Sequence, residues 1–245
     1  KHGCVHMAYK GHNTDSGETK LVMRSVSVTP ESGRGETNAG LTRADGTTLR
    51  LDDDVPAASS PITWTSGQGP IDTQDNTGTV GGVIGGAGKL VKDGTGTLIL
   101  TNNNTYAGGT VISQGALQIG NGGTTGSIQG YVVDNGALIF NRSDVISFSG
   151  VISGTGSVVQ AGIGTTQLTG TNTYSGGTNI NNGILQIATV DNLGTGGLSV
   201  GTANTGGTLL TTSSTDLTAA GNVVLNMGGG TIDTNGHIAA MSSII

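Results

Sequence analysis

Ser199 stands at the centre of GLSVG, residues 197–201, and Asp216, Asp233 and His237 follow it in the order serine, acid, histidine. In acyl-transfer enzymes such a serine sits on a sharp strand-to-helix turn, where a histidine held by a carboxylate takes its proton. No helical period follows Gly201, so nothing predicts that turn. In a chain rich in Gly and Ser the pattern reads as coincidence. His2, Cys4, His6 and His12 are metal-ligand types at close spacing, but the spacing fits no zinc finger. Gly88 and Lys89 lack both the glycine five positions earlier and the hydroxyl residue afterwards that a phosphate-cradling loop needs. No Asp falls where a calcium-binding β-roll requires one. Residues 60–245 hold a single Arg, and no segment concentrates both acid and base as sugar-cleaving chemistry demands. The expectation is a non-enzymatic chain with no metal and no cofactor.

A second group of residues is better suited to holding or recognising than to reacting. Asn102, Asn103, Asn104, Asn181 and Asn182 read as corner residues that tolerate left-handed backbone and stack in amide ladders. Their functional alternative, together with Asn172, Tyr106 and Tyr174, is an interaction surface for a glycan or a second copy. The two tyrosines are expected to pack over the corner.

The elements that must position these residues are written twice. Residues 82–119 read GVIGGAGKLVKDGTGTLILTNNNTYAGGTVISQGALQI, and residues 150–187 read GVISGTGSVVQAGIGTTQLTGTNTYSGGTNINNGILQI. The copies align without a gap, Gly82 falling on Gly150 and Ile119 on Ile187, and 22 of the 38 aligned positions are identical. A long-period internal repeat of this kind marks a repetitive architecture.

Composition limits which one. Gly contributes 46 residues and only 3% are aromatic, so any core is built from Val, Ile and Leu. The recurrent aliphatic runs argue against disorder, and the absence of a Gly-X-Y period excludes collagen. Residues 1–59 carry seven Lys/Arg and eight Asp/Glu, whereas residues 60–245 carry only Lys89, Lys92 and Arg142 against eight Asp. No basic stripe exists to meet nucleic acid. A single cysteine permits no internal disulfide, and no apolar run approaches the ~18 residues of a membrane helix. The chain opens without a signal peptide, which reads as a processed product or an excerpt.

From residue 60 onward, runs of three to five residues alternate apolar and polar between Gly, Asn, Asp and Thr. Leu98 with Leu100, Leu117 with Ile119, and Leu138 with Phe140 place one face of each run towards a core. Short strands repeated almost identically favour an all-β solenoid over a sandwich, because like side chains then stack coil on coil. Coils of about 20 to 25 residues make the repeat offset about three coils and residues 60–245 about eight. On that count Tyr106 and Tyr174 share one face. Residues 1–59 read as a non-repetitive N-terminal flank or cap. SSII at the end offers no cap, so continuation beyond Ile245 is expected.

The repeat cores, residues 94–119 and 162–187, resemble the autotransporter-associated β-strand repeat of Gram-negative passenger domains (type V secretion). The resemblance extends over roughly residues 60–245. It implies a right-handed parallel β-helix, displayed on the cell surface at the outer membrane or secreted, with a scaffold role in adhesion, autoaggregation or virulence. It further implies partners such as a host-cell receptor, a matrix protein, a glycan or a second copy. Membrane attachment would run only through a barrel that this chain does not contain. The alternative is a stalk for an enzymatic module, such as a protease, lying outside the chain.

Overall fold

A computed structural model describes residues 48–51 and 60–241, together with the backbone of three earlier strands, Lys10–His12, Thr19–Met23 and Leu41–Arg43. It is an all-β parallel solenoid of about nine turns. At roughly 4.8 Å per turn the stack is about 43 Å long.

Each turn visits three faces. The first face carries Leu49–Leu51, Gln68–Asp72, Lys89–Asp93, Thr110–Ile112, Val132–Asp134 and Ile152–Ser153. The second carries eight strands, from Thr77–Val80 and Thr97–Leu100 to Leu198–Val200 and Val223–Leu225. The third begins with Leu41–Arg43, Ile62–Trp64 and Ile84–Gly86 and resumes with Val145–Phe148, Thr165–Leu168, Ile184–Ile187, Thr208–Thr211 and Thr231–Asp233. Among the described residues every pairing is parallel except that of Lys10–His12 with Thr19–Met23. Parallel pairing precedes residue 60, since Leu49 pairs with Ile71 and Leu41 with Ile62.

Two-residue alternation drives this arrangement. Leu98, Leu117, Leu138 and Val158 occupy one inward column in register, and Leu100, Ile119 and Phe140 occupy the next. All seven are buried. Burying each such side chain stabilises the fold by about 1.5–3 kcal/mol. Corners are sharp because glycine makes them so. Gly94 has φ of 79°, and a Cβ on Gly150 would lie 1.8 Å from the Gly130 carbonyl oxygen of the turn below.

Two expectations are corrected here. The asparagines expected to tolerate left-handed backbone do not adopt it: among described non-glycine residues only Gln74 and Asn235 have positive φ. Glycine occupies those corners, having no Cβ to clash. The repeat, moreover, is not a whole number of turns. Thr97 pairs with Ala116, Ala116 with Ala137 and Ala137 with Ser157, which completes three turns on the second face. The stretch from Ser157 onward then carries the chain to Thr165 on the third face. The copies are therefore related by three turns and one face. Tyr106 lies beside Ile84–Gly86 on the third face, and Tyr174 beside Ile152–Ser153 on the first.

Candidate functional site

The stretches NNNTYAGG and TNTYSGG interrupt the strand pattern once in each copy, and their side chains do the work that strand pairing does elsewhere. Asn104 is buried; its Oδ1 accepts the Ile84 amide at 2.9 Å, and its Nδ2 donates to the carbonyls of Asn102 at 2.8 Å and Ser127 at 3.0 Å. One side chain thus joins three successive turns. Asn172 repeats the device one face away, accepting from Ile152 N–H at 2.8 Å and donating to the Asn192 carbonyl at 2.6 Å. Side-chain amides satisfy here the backbone groups that an interrupted ladder exposes.

Two residues on from each asparagine, a tyrosine fills the core. Tyr106 and Tyr174 are both wholly buried, and their hydroxyls meet the Oγ1 of Thr110 at 2.7 Å and of Thr178 at 2.6 Å. Burial raises both phenol pKa values. Tyr106 also meets Trp64 edge to face at 6.3 Å. Removing either hydroxyl leaves a buried threonine oxygen without its partner. Tyr106→Phe and Tyr174→Phe are each expected to cost about 1 kcal/mol in urea unfolding, because each loses one bond to a buried threonine hydroxyl.

Of the eight residues read as an interaction surface, Asn104, Tyr106, Asn172 and Tyr174 are thus internal. Asn103 is exposed, and Asn102, Asn181 and Asn182 are half-buried. The expected amide ladders are absent among them, since these side chains bond to nearby backbone. Asn102 accepts from Asn103 N–H and donates to the Gly81 carbonyl, and Asn182 accepts from Gly183 N–H. Asn103 accepts from Gly126 N–H and from the Ser127 hydroxyl.

Charged groups are also drawn into the fold. Lys92 is buried and donates to the carbonyls of Asp93, Gly94 and Gln114. Its burial outweighs the attraction of Asp93 and Asp72 and lowers its pKa to about 8. Arg142 holds Asp144 through two bonds of 2.8 and 2.7 Å and donates to the carbonyls of Gly126 and Thr124, pinning the exposed loop at residues 121–125. The bonds from Arg142 keep the Asp144 carboxyl below its usual range. Asp134 is buried with one oxygen bonded to Gly136 N–H and the other without a partner among the described residues, and burial raises its pKa to about 6.

The groups that could do acyl transfer are dispersed. Ser199 lies within the strand Leu198–Val200 on the second face, where Asn226 Nδ2 donates to its Oγ at 2.8 Å. No helix follows it, so the nucleophile turn is not formed. Asp216 caps the short helix Leu217–Ala220, Asp233 lies on the third face, and His237 is exposed in the turn beyond. Lys89 lies in a first-face strand. His2, Cys4 and His6 lie outside the described residues, and of His12 only the backbone is described.

The faces differ in what they present to solvent: Arg50, Asp72 and Asp93 stand in register on the first, whereas the second carries no such charges. The outward column of the second face runs Thr79, Ile99, Gln118, Ile139, Val159, Asn179, Ser199 and Val224, in register and without a charge. Tyr131, Val145, Val151 and Ile163 are large apolar side chains exposed in the middle turns, at the first and third faces. Tyr131 has no aromatic counterpart in the repeats, which is why the repeat pattern does not single it out.

Residues 90–119 and 158–187 match the passenger-associated-transport repeat. The chain is also 50% identical over 91 residues to the adhesin BmaC autotransporter of Brucella suis biovar 1 (strain 1330). That alignment covers 36% of this chain and 3% of the Brucella protein, so the chain spans a small part of that relative. No solved structure matches it. The solenoid thus carries two passenger-associated-transport repeats, and in part of its length it is similar to an autotransporter adhesin.

Proposed function

We propose that this segment is a β-helical stalk and adhesion scaffold within an autotransporter passenger. The observation that carries the reading is the use made of its reactive groups. Asn104, Asn172, Tyr106, Tyr174, Lys92 and Arg142 are all spent on holding the solenoid's turns and corners in place. The outward column of the second face is left uncharged and in register, which suits holding a binding region away from the membrane and offering a long contact surface of mixed polar and aliphatic side chains. The adhesin name of the Brucella relative supports the same role. In this reading the partners are a host-cell receptor, matrix protein or glycan, with exposed Asn103 and half-buried Asn102, Asn181 and Asn182 contributing to the contact.

The test uses bacteria displaying the complete passenger. Deleting residues 82–241 in frame is expected to abolish adhesion to host cells or matrix while export, followed by surface antibody, persists. Undiminished adhesion by the exported deletion would overturn the reading. Clumping of the displaying cells without adhesion would assign the surface to self-association, and a hydrolytic activity lost with a distal module would assign the segment to the stalk of an enzyme.

A further inference from the structure

The sequence contains four Asn-Gly pairs, at 121–122, 135–136, 182–183 and 235–236. In such a pair the glycine amide nitrogen can attack the asparagine side-chain carbonyl carbon. A C–N bond forms, ammonia leaves, and the succinimide ring then takes up water and opens to aspartate or isoaspartate. Asn-Gly is the favoured sequence because glycine puts no side chain in the way of the ring. Sequence alone makes the four pairs equivalent.

The solenoid separates them. Gly122 N–H donates to the Asn141 carbonyl at 2.8 Å, across to the next turn. Gly136 N–H donates to Asp134 Oδ1 at 2.9 Å, and Gly183 N–H to Asn182 Oδ1 at 2.9 Å. In the first two the nucleophile is engaged away from the carbonyl it would attack, whereas Gly183 N–H meets the oxygen of that carbonyl on half-buried Asn182. The asparagine side chains of two of them are also held: Asn121 Oδ1 accepts from Gln118, and Asn135 Oδ1 from Thr155. Gly236 N–H, in contrast, has no acceptor among the described residues, and neither does the Asn235 side chain have a partner there. A Cβ on Gly236 would meet nothing within 4 Å. Asn235 and Gly236 form the two central residues of a tight turn, with φ of 48° and 79°, closed by His237 N–H on the Thr234 carbonyl at 2.8 Å. Asn235, Gly236 and His237 are all exposed to the water that the second step consumes.

We propose that Asn235 is a site of spontaneous covalent modification in this protein, converting to isoaspartate and aspartate through attack by Gly236 nitrogen. The consequence is local and of two kinds. Isoaspartate inserts a methylene into the backbone of a turn that joins the third-face strand Thr231–Asp233 to the strand Ala239–Ala240. Either product also adds a negative charge two residues from Asp233, whose Oδ1 accepts the Asn235 amide at 2.8 Å. The reaction therefore loosens and charges the last described turn and leaves the repeats untouched.

The experiment is to hold the purified 245-residue chain at 37 °C and mildly alkaline pH, then map it with a protease that cleaves before aspartate. The fragment beginning at Asp233 is expected to gain about one mass unit where isoaspartate forms at residue 235, and to be cut again before residue 235 where aspartate forms, both about fivefold or more faster than modification at Asn121 or Asn135. That factor is what a hydrogen bond of ordinary net strength gives an amide that must break it to react. In denaturant the four rates should converge. Asn235→Gln should remove the fast acidic species in isoelectric focusing with the fold unchanged. Equal rates at the four sites in the folded chain, or the same spread in denaturant, would overturn the proposal.

Discussion

Asn104→Ala is expected to lower the stability of the solenoid by about 3 kcal/mol, one of the largest effects of any single change outside the aliphatic core. The side chain is wholly within the stack and contributes three hydrogen bonds to three turns. Truncation to alanine orphans the buried Ile84 amide, which costs about 1–3 kcal/mol, and removes two further bonds, the Ser127 carbonyl keeping only the backbone amide of residue 104. Asn172→Ala should behave alike, because Asn172 serves Ile152 and Asn192 in the same manner. Urea unfolding followed by circular dichroism measures this as a lower midpoint at similar slope. A loss within about 0.5 kcal/mol would mean that these amides are surface groups after all, as changes at exposed positions typically are.

Asp134→Asn is expected to act in the opposite direction at neutral pH. Burial raises the Asp134 carboxyl from its ordinary 3.8 to about 6, so the folded chain holds a proton that the unfolded chain releases. Stability therefore falls as pH rises from about 4 to about 6, and the loss is complete above the folded value. The shift corresponds to about 2–3 kcal/mol. Asparagine keeps an acceptor for Gly136 N–H without a charge to desolvate. The variant should be more stable by about 2 kcal/mol at pH 7, the size of that linkage, and should lose most of its advantage below about pH 4. An unchanged or lowered midpoint at pH 7 would show that the carboxylate is solvated or paired in solution.

How much of this was legible in the sequence differs from residue to residue. The alternation of Leu98 with Leu100 and Leu117 with Ile119 specified inward columns directly, since the side-chain period of a strand admits no other burial. That the strands are parallel followed from repetition, since like residues stack only when successive passes run the same way. The phase of the repeat did not follow. Turns vary in length: the pass from Leu198 to its stacked partner Val223 is longer than the pass from Thr97 to its partner Ala116. The offset between the two copies therefore cannot be divided by a fixed coil. Nor does a corner asparagine announce its direction. Asn104 and Asn103 are adjacent and chemically identical, yet one stitches the interior and the other faces solvent. Asp134 does carry a signal: in YVVD it alternates with Val132, which places it inward.

The repeat itself emerges as a unit defined by hydrogen bonding rather than by face. Its copies put the same Asn, Tyr and Thr on different faces with the same Asn-to-amide and Tyr-to-Thr bonds, so the sequence encodes a device for crossing an interrupted ladder wherever it falls. Lys92 and Gln160, at equivalent places in the two copies, make the point with different chemistry. Lys92 donates to the Gly94 carbonyl at 2.7 Å and Gln160 to the Gly162 carbonyl at 2.8 Å. A buried N–H donor at the corner is what the turn requires, and an ammonium or an amide supplies it.

Successive passes pair in parallel, and the second copy of the repeat starts one face further round than the first. Paired cysteines test this most directly, in a background with Cys4 replaced by serine. Ile99 and Gln118 are partners on adjacent turns of the second face and both point outward. Gln167, the repeat equivalent of Ile99, is the partner of Ser147 on the third face; were the repeat a whole number of turns, it would stack on Ile139 of the second. Parallel neighbours stand within the ~4.4–6.8 Å that a disulfide spans between α-carbons. Ile99→Cys with Gln118→Cys, and Ser147→Cys with Gln167→Cys, should each oxidise to an intramolecular disulfide, whereas Ile139→Cys with Gln167→Cys should stay reduced. Bridging of 139 to 167, or failure of 99 to bridge 118 or of 147 to bridge 167, would contradict this.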